Sequence, residues 1–159
     1  MPHIHDKYDF TVSMFVIHPS DPKFCVHWHE KLQVWNCFGG HIELDQDPLE
    51  ALEAEMSEET GLSPDDYDIL QTYDAPLGVG DKELPNPFAV NLWKYGDIDH
   101  YHIDMPYVLR AKTDVIKPLE NESQQIKWIT LDKAEHMHNT GEIDDSVIRI
   151  LRWLANRYF

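Results

Sequence analysis

Three glutamates in the middle of the chain, Glu55, Glu58 and Glu59, have the residue type and spacing of a divalent-cation site. On a helix of about 3.6 residues per turn they share an arc of about 100°. Carboxylate oxygens in this arrangement suit Mg²⁺ or Mn²⁺ and leave coordination positions for water and for phosphate oxygens. Glu50 and Glu53 fall on the outer side of the same helix, where solvation explains them. The spacing alone is equally compatible with a metal site and with an ordinary acidic helix.

The helix that must carry these glutamates has clear boundaries. Asp47 is a suitable N-cap, Pro48 fits the first helical position, and Gly61 provides the C-terminal stop. The segment Val34–Phe38 is typical of a short strand and runs into Gly39-Gly40, where the absence of Cβ atoms allows a tight turn or a close backbone approach. We therefore expect the glutamates to converge beside the glycine pair.

The rest of the chain alternates between strand and helix patterns around this helix. Strands are predicted over Tyr8–His18, Lys23–Trp28, Tyr67–Tyr73, Phe88–Tyr95, His102–Ala111 and Ile126–Thr130, and helices over Leu131–His136 and Asp144–Tyr158. This order is not a regular strand–helix repeat, so it predicts a mixed sheet with helices on both faces. The length predicts one domain over residues 1–159. The Pro- and Gly-rich loop Asp74–Pro87 is long enough to be a substrate-facing flap.

Composition excludes several classes of function. The formal charge of −16 would repel a polyphosphate backbone, so nucleic acid polymers are not expected partners. The sequence contains no signal-peptide core and no apolar run long enough to span a membrane, which predicts a cytoplasmic protein. Cys25 and Cys37 lie in apolar stretches and are expected to be buried free thiols. The oligomeric state is open, with a homodimer as one possibility.

The segment from Gly40 to Leu62 resembles the Nudix box, whose pattern is G-x5-E-x7-R-E-U-x-E-E-x-G-U with U aliphatic. The spacing is intact over all 23 residues, and the matching positions are Gly40, Glu55, Met56, Glu58, Glu59, Gly61 and Leu62. Two positions depart from the pattern. Gln46 replaces its first glutamate, and Ala54 replaces its arginine, which in the family helps to orient the neighbouring glutamates.

The resemblance implies an α/β fold, a Nudix-like α/β/α sandwich with a mixed sheet between helices. It also implies a metal-dependent pyrophosphohydrolase that cleaves the diphosphate linkage of a nucleoside diphosphate derivative, with Mg²⁺ or Mn²⁺ as cofactor. Carried over by position, Glu55, Glu58 and Glu59 would bind the metal, and the main-chain carbonyl of Gly39 could add a ligand.

The box does not fix the general base, because family members place it on the helix or on a later loop. Glu122 is our candidate in the loop, with Glu120 as its alternate and Glu58 as the candidate within the box. Ordinary solvation of a loop is the competing interpretation of Glu120 and Glu122.

Histidines and aromatic residues offer weaker patterns. His100, His102 and Asp104 would project from one face of a strand, and His27 and His29 have the same spacing. Both sets are compatible with metal binding or with polar packing, and we assign no zinc to either. Four aromatic residues are candidates for stacking on a nucleobase, although core packing is the simpler interpretation: Trp35, Phe38, Tyr73 and Trp93.

Two other functions compete with hydrolysis. The departures at Gln46 and Ala54 are compatible with a Nudix-fold nucleotide-binding or regulatory module that has little or no turnover. An isomerase-type relative acting on an isoprenoid diphosphate is the second alternative. It is less favoured because the chain shows no second set of acid and base residues for that reaction.

Overall fold

The structure is a computed structural model and describes residues 3–70 and 77–159. Its strands are β1 (Tyr8–Ile17), β2 (Lys23–His29), β3 (Val34–Asn36), β4 (Phe38–His41), β5 (Tyr67–Ile69), β6 (Asn91–Lys94), β7 (Tyr101–Ala111) and β8 (Ile126–Thr130). Its helices are α1 (Pro48–Thr60), α2 (Leu131–Asn139) and α3 (Asp145–Tyr158), and Pro64–Asp66 forms one 3-10 turn. No helix in these ranges is long and apolar enough to cross a membrane.

The strands form one mixed sheet, as predicted. Its centre is the parallel pair β1 and β7, in register from Tyr8 opposite Tyr101 to Ile17 opposite Arg110. The sheet order is β3-β2-β1-β7-β5, while β4 pairs with β1, β6 with β7 and β8 with β2. Every strand pair in the sheet other than β1 with β7 is antiparallel within the described residues.

Helices cover both faces of the sheet, which confirms the α/β/α sandwich. On one face, Leu52 and Met56 of α1 are fully buried in a core that includes Val12 and Met14 of β1. On the other face, Ile148 and Leu151 of α3 and Met137 of α2 pack on alternate residues of β1 and β2. This is the two-sided burial that the alternation of side chains along a strand produces.

Helix α1 is specified locally at both ends. The Asp47 carboxylate accepts hydrogen bonds from the Leu49 and Glu50 amides, and the Glu50 carboxylate accepts one from the Asp47 amide, which completes a capping box. Gly61 adopts the left-handed conformation at φ 72° and its amide donates to the Ser57 carbonyl. These signals fix the register in which the helix presents its glutamates.

The predicted elements differ from the observed ones at several ends. The predicted strand Val34–Phe38 is two strands, because the chain leaves β2 after Asn36 and pairs with β1 from Phe38 onwards. The segment Phe88–Tyr95 forms a strand only over Asn91–Lys94, and α2 extends three residues beyond His136 to Asn139. Of the predicted strand Tyr67–Tyr73, Tyr67–Ile69 is observed and residues 71–76 lie outside the described residues. The same gap contains the first three residues of the predicted flap Asp74–Pro87.

Candidate metal centre and active site

The glycine pair lies in β4, where it approaches α1 closely. Gly39 and Gly40 pair with Ser13 and Val12 of β1, so they form strand rather than a tight turn. A Cβ atom built on Gly40 would overlap the Glu55 carboxylate, and one built on Gly39 would overlap the Val12 carbonyl. The missing side chain of Gly40 therefore makes the space that the Glu55 carboxylate occupies, and that of Gly39 allows β4 to lie close to β1.

Glu59 is held against β4 by a main-chain donor. The Gly39 amide donates a 2.8 Å hydrogen bond to Glu59 Oε2, and His27 Nδ1 lies 3.7 Å from Oε1. Glu59 is only 7% exposed. Burial, together with the charges of Glu55, Glu122 and Glu58, raises its pKa to about 8 against the lowering effect of the Gly39 hydrogen bond. The group is a buried carboxylate whose charge is not compensated.

Glu55 lies in the same environment. Burial raises its pKa to about 7, and the charges of Glu58, Glu122 and Glu43 add to the increase. Within the described residues, no lysine or arginine forms an ion pair with Glu55, Glu58 or Glu59. Several carboxylates gathered without a cationic side chain are a donor set that fits a hard divalent cation such as Mg²⁺ or Mn²⁺.

The loop after β7 brings Glu122 to this group. Lys117 donates its amide to the Thr60 carbonyl, and Leu119 donates its amide to the Glu58 carbonyl at 2.9 Å, so the loop runs along the end of α1. The Glu122 amide then donates to the Leu119 carbonyl, and the Asn121 side chain donates to Glu122 Oε1. The charge of Glu122 acts on both Glu55 and Glu59.

The other candidate bases differ from Glu122 in position. Glu58 is exposed on α1, next to Glu59 in the chain and one helical turn from Glu55. Glu120 is also exposed and makes no hydrogen bond or ion pair with the residues that the structure describes. The geometry therefore groups Glu122 and Glu58, but not Glu120, with Glu55 and Glu59.

Two features of the box become interpretable in the structure. The side-chain oxygen of Gln46 accepts a hydrogen bond from the Glu43 amide, and the Gln46 amide donates to the Glu43 carbonyl, which closes a turn before α1. Glu43 itself acts on Glu55 through its charge, a contribution that the sequence analysis missed. Its position three residues after Gly40 was the available signal.

Ala54 is half-buried, and the absence of an arginine at this position leaves Glu55 without a cationic neighbour.

The remaining candidates from the sequence have different surroundings. His27 Nε2 lies 3.0 Å from the Cys37 carbonyl, which can only accept, so this nitrogen carries the proton. Burial lowers the pKa of His27 to about 4, and the ring is therefore neutral. His29 Nδ1 accepts from the Leu32 amide in a turn. Asp104 accepts from Thr11 and Ser13, away from α1.

The aromatic candidates do not form one stacking surface. Phe38 is fully buried in the core, which matches the simpler interpretation, whereas Trp93 is 45% exposed. Trp35 is half-buried, and the Lys127 ammonium lies over its ring at 3.6 Å from the centroid. Tyr73 lies outside the described residues.

A groove that the sequence did not reveal adjoins the Glu122 loop. It has a volume of about 420 Å³. The residues that line it come from the chain before and after Glu122 and from β8, and they include Lys117, Pro118, Gln124, Lys127 and Trp128. Pockets of roughly 300–1,000 Å³ are typical for small ligands. Two lysines in one groove are notable in a chain with 13 basic and 29 acidic side chains, because they provide local positive charge for an anion.

Comparison with known proteins agrees with this fold. The family model described as NUDIX domain matches residues 7–153, so the chain belongs to the Nudix family. It is a Nudix-type hydrolase, a class that acts on phosphoric anhydride bonds. A comparison with curated protein sequences finds no significant match.

Solved structures extend the likeness over almost the whole chain. A NUDIX-family hydrolase from Clostridium perfringens is 28% identical, with a TM-score of 0.78 over 95% of this chain and 98% of that chain. A Caenorhabditis elegans Ap4A hydrolase in a binary complex is 14% identical, with a TM-score of 0.67 over 91% and 93%. The NUDIX domain of Shewanella oneidensis NrtR complexed with ADP ribose is 14% identical, with a TM-score of 0.67 over 98% and 91%. The last two likenesses concern the fold.

Proposed function

We propose that this Nudix-type hydrolase is a Mg²⁺- or Mn²⁺-dependent pyrophosphohydrolase that cleaves the diphosphate linkage of a nucleoside diphosphate derivative. The observation that carries the proposal is the pair of half-buried Glu55 and buried Glu59 beside Gly39-Gly40, with raised pKa values and no cationic partner among the described residues. Glu55, Glu58 and Glu59 would hold the cation, and the Gly39 carbonyl would add a ligand. When bound, the cation would neutralise part of the diphosphate charge and would lower the pKa of the water that it binds.

Glu122 is the residue that we assign as general base. It lies close enough to Glu55 and Glu59 for its charge to raise their pKa values, and the Asn121 side chain donates a hydrogen bond to one of its oxygens. In this role it removes a proton from the attacking water. The water oxygen forms a bond to phosphorus as the bond between phosphorus and the bridging oxygen breaks, and the bridging oxygen leaves with the electron pair. Glu58 is the alternative base on α1.

The groove beside Glu122 is our candidate for substrate binding. Lys117 and Lys127 would bind phosphate oxygens, and the apolar walls and Trp128 would contact the nucleoside. Two relatives in fold, the Ap4A hydrolase and the domain complexed with ADP ribose, make dinucleoside polyphosphates and nucleoside diphosphate sugars the first compounds to test.

The test is product analysis after incubation with a panel of these compounds, nucleoside triphosphates and an isoprenoid diphosphate, with Mg²⁺, with Mn²⁺ and with chelator. We expect metal-dependent release of a nucleoside phosphate from at least one nucleotide. Saturable nucleotide binding without turnover under all metal conditions would instead identify a binding module. Lys117→Ala should raise KM for the active compound, whereas Lys133→Ala on the exposed surface of α2 is the matched control.

A further inference from the structure

Four histidines surround one buried carboxylate on the face of the sheet opposite α1. His3 Nδ1, His41 Nε2 and His100 Nε2 each lie 3.3 Å from Asp9 Oδ2. His102 completes the group, with its ring centroid 5.0 Å from that of His41 and 5.4 Å from that of His100. Asp9 is 0% exposed and His100 is 2% exposed. We call these five residues the histidine cluster.

The strand register assembles the histidine cluster. Asp9 of β1 pairs with His102 of β7, and Thr11 of β1 pairs with His41 of β4. Residues paired across neighbouring strands project to the same face, and so do Asp9 and Thr11, two apart on one strand. Asp9, His41 and His102 therefore share one face. This is the face opposite Val12 and Met14, which pack with α1, so the cluster is separate from the glutamate site.

Three ring nitrogens of the cluster lack hydrogen-bond partners. Asp9 accepts hydrogen bonds from the Ile4 and His5 amides, but no lysine or arginine in the described part of the chain pairs with it. The Nε2 atoms of His41, His100 and His102 are buried and make no hydrogen bond, although two of them lie near the Asp9 oxygen. Buried polar atoms without partners are rare and costly, which points to a missing ligand.

The hydrogen bond of the His100 ring strengthens this point. Its Nδ1 lies 3.2 Å from the Asp6 carbonyl, which can only accept, so Nδ1 is the donor. Nε2 of the same ring lies 3.3 Å from Asp9 Oδ2, is buried and makes no hydrogen bond. A histidine whose outer nitrogen donates to a main-chain carbonyl while the inner one faces a group of ligands has the arrangement that orients metal-binding histidines.

We propose that His3, Asp9, His41 and His102 bind a divalent first-row transition metal, with Zn²⁺ as the ion that this donor set fits best. One potential ligand atom from each residue lies within 4.8 Å of all the others. A tetrahedral zinc site with bonds of about 2.0–2.1 Å separates its ligand atoms by about 3.3 Å, which is the distance of His3 and His41 from Asp9. His100 supplies a further nitrogen at the edge of the site. Three imidazoles and one carboxylate favour such an ion over Mg²⁺, which prefers oxygen ligands.

The ligands come from separate parts of the chain, which gives the site a structural role. His3 precedes β1, Asp9 lies in β1, His41 in β4 and His102 in β7. A bound ion would therefore link the segment before β1 to the three strands β1, β4 and β7. His41 directly follows Gly40, so the same ion would also restrain the strand that presents the glycine pair to α1.

The test is Zn²⁺ binding by the full chain, measured by titration against a chromophoric chelator and by metal content after dialysis. We expect one tightly bound Zn²⁺ per chain and an increase in Tm on binding, since an ion that binds only the folded state stabilises it. Co²⁺ in its place should give the intense visible absorption of tetrahedral coordination. His3→Ala and His102→Ala should each weaken binding by at least about tenfold, because loss of a ligand costs no less than loss of a residue that orients one.

Two controls separate this site from the glutamates. His5→Ala removes an exposed histidine next to the cluster and should leave Zn²⁺ affinity unchanged. The double variant Glu58→Gln, Glu59→Gln should also retain it. The proposal is overturned if His3→Ala and His102→Ala, both folded by circular dichroism, bind Zn²⁺ as tightly as the unmodified chain. It is equally overturned if the double glutamate variant abolishes Zn²⁺ binding.

Discussion

The main-chain amide of Gly39 donates a 2.8 Å hydrogen bond to Oε2 of Glu59, so the strand β4 orients a buried carboxylate of α1 directly. This contact needs no side chain from β4. It provides part of the orientation that an arginine at position 54 would contribute in the family pattern. Glu55 has no such donor in the described residues and instead lies against the open face of Gly40.

Gly40→Ala should disturb catalysis more than folding. A Cβ at this position would overlap the Glu55 carboxylate, which must then leave its present position. A displacement of about 1 Å in an active site can cost about 10²-fold in rate, so we expect kcat/KM to fall by about that factor while the far-ultraviolet circular dichroism is retained. Gly80→Ala, where the added atom meets only ordinary contacts, is the control. Equal activities of the two variants would contradict the close approach.

The raised pKa values predict a specific pH dependence of stability without metal. Because the folded-state pKa values of Glu55 and Glu59 are about 7 and about 8, above the ordinary 4.5, the folded state binds more protons between pH 5 and pH 8. Stability from these groups is therefore fully present below about pH 4.5 and is lost as pH rises through the folded-state pKa values.

Thermal unfolding in chelator measures this effect. Relative to Glu59→Gln, the unmodified chain should lose Tm as pH rises from 5 to 8, and saturating Mn²⁺ should reduce the loss because it stabilises the ionised carboxylates. Glu53→Gln, a change on the outer side of α1, should preserve the slope. A slope that is unchanged in Glu59→Gln would show that this carboxylate ionises normally.

Glu122→Gln and Glu120→Gln form a matched pair for the general base. Loss of a base typically costs about 10²–10⁴ in rate while ground-state contacts persist, so kcat of Glu122→Gln should fall by that range with little change in KM. Glu120→Gln should be nearly silent, since the Glu120 side chain is exposed and makes no contact among the described residues. If kcat falls only in Glu58→Gln, the base is on α1.

Ala54→Arg, alone or with Gln46→Glu, should strengthen the metal site. Ala54 is half-buried and lies one helical turn before Glu58, so an arginine there can reach its carboxylate. Such pairs contribute roughly 0.2–0.5 kcal/mol, which corresponds to an increase of about twofold in Mn²⁺ affinity or kcat/KM. A loss of Tm without this gain would show that the position is too confined and that the arginine overpacks it.

The sequence predicts α1 and its glutamates well because both depend on neighbouring residues. Asp47, Pro48 and Gly61 fix the ends of the helix, and the helical period then fixes the faces. The division of Val34–Phe38 into two strands could not be predicted, since it depends on which strand each half pairs with.

Contacts between distant segments explain the rest of the difference. The hydrogen bond from the Leu119 amide to the Glu58 carbonyl helps to bring Glu122 close to Glu55, and no local sequence pattern predicts that contact. The histidine cluster likewise depends on the register of three strands. His100, His102 and Asp104 have the spacing of one face, but Asp104 is bound to Thr11 and Ser13, and Asp9 takes its place beside the histidines.

The central claim is that Glu55, Glu58 and Glu59 bind the divalent cation that hydrolysis requires. Calorimetric titration of Mn²⁺ at pH 8 into the His3→Ala chain and into the same chain carrying Glu58→Gln and Glu59→Gln tests it most directly, because His3→Ala weakens metal binding at the histidine cluster equally in both proteins. We predict saturable binding that weakens by at least about tenfold in the glutamate variant, since two anionic ligands are lost. Equal Mn²⁺ affinity in the two folded proteins would contradict the claim.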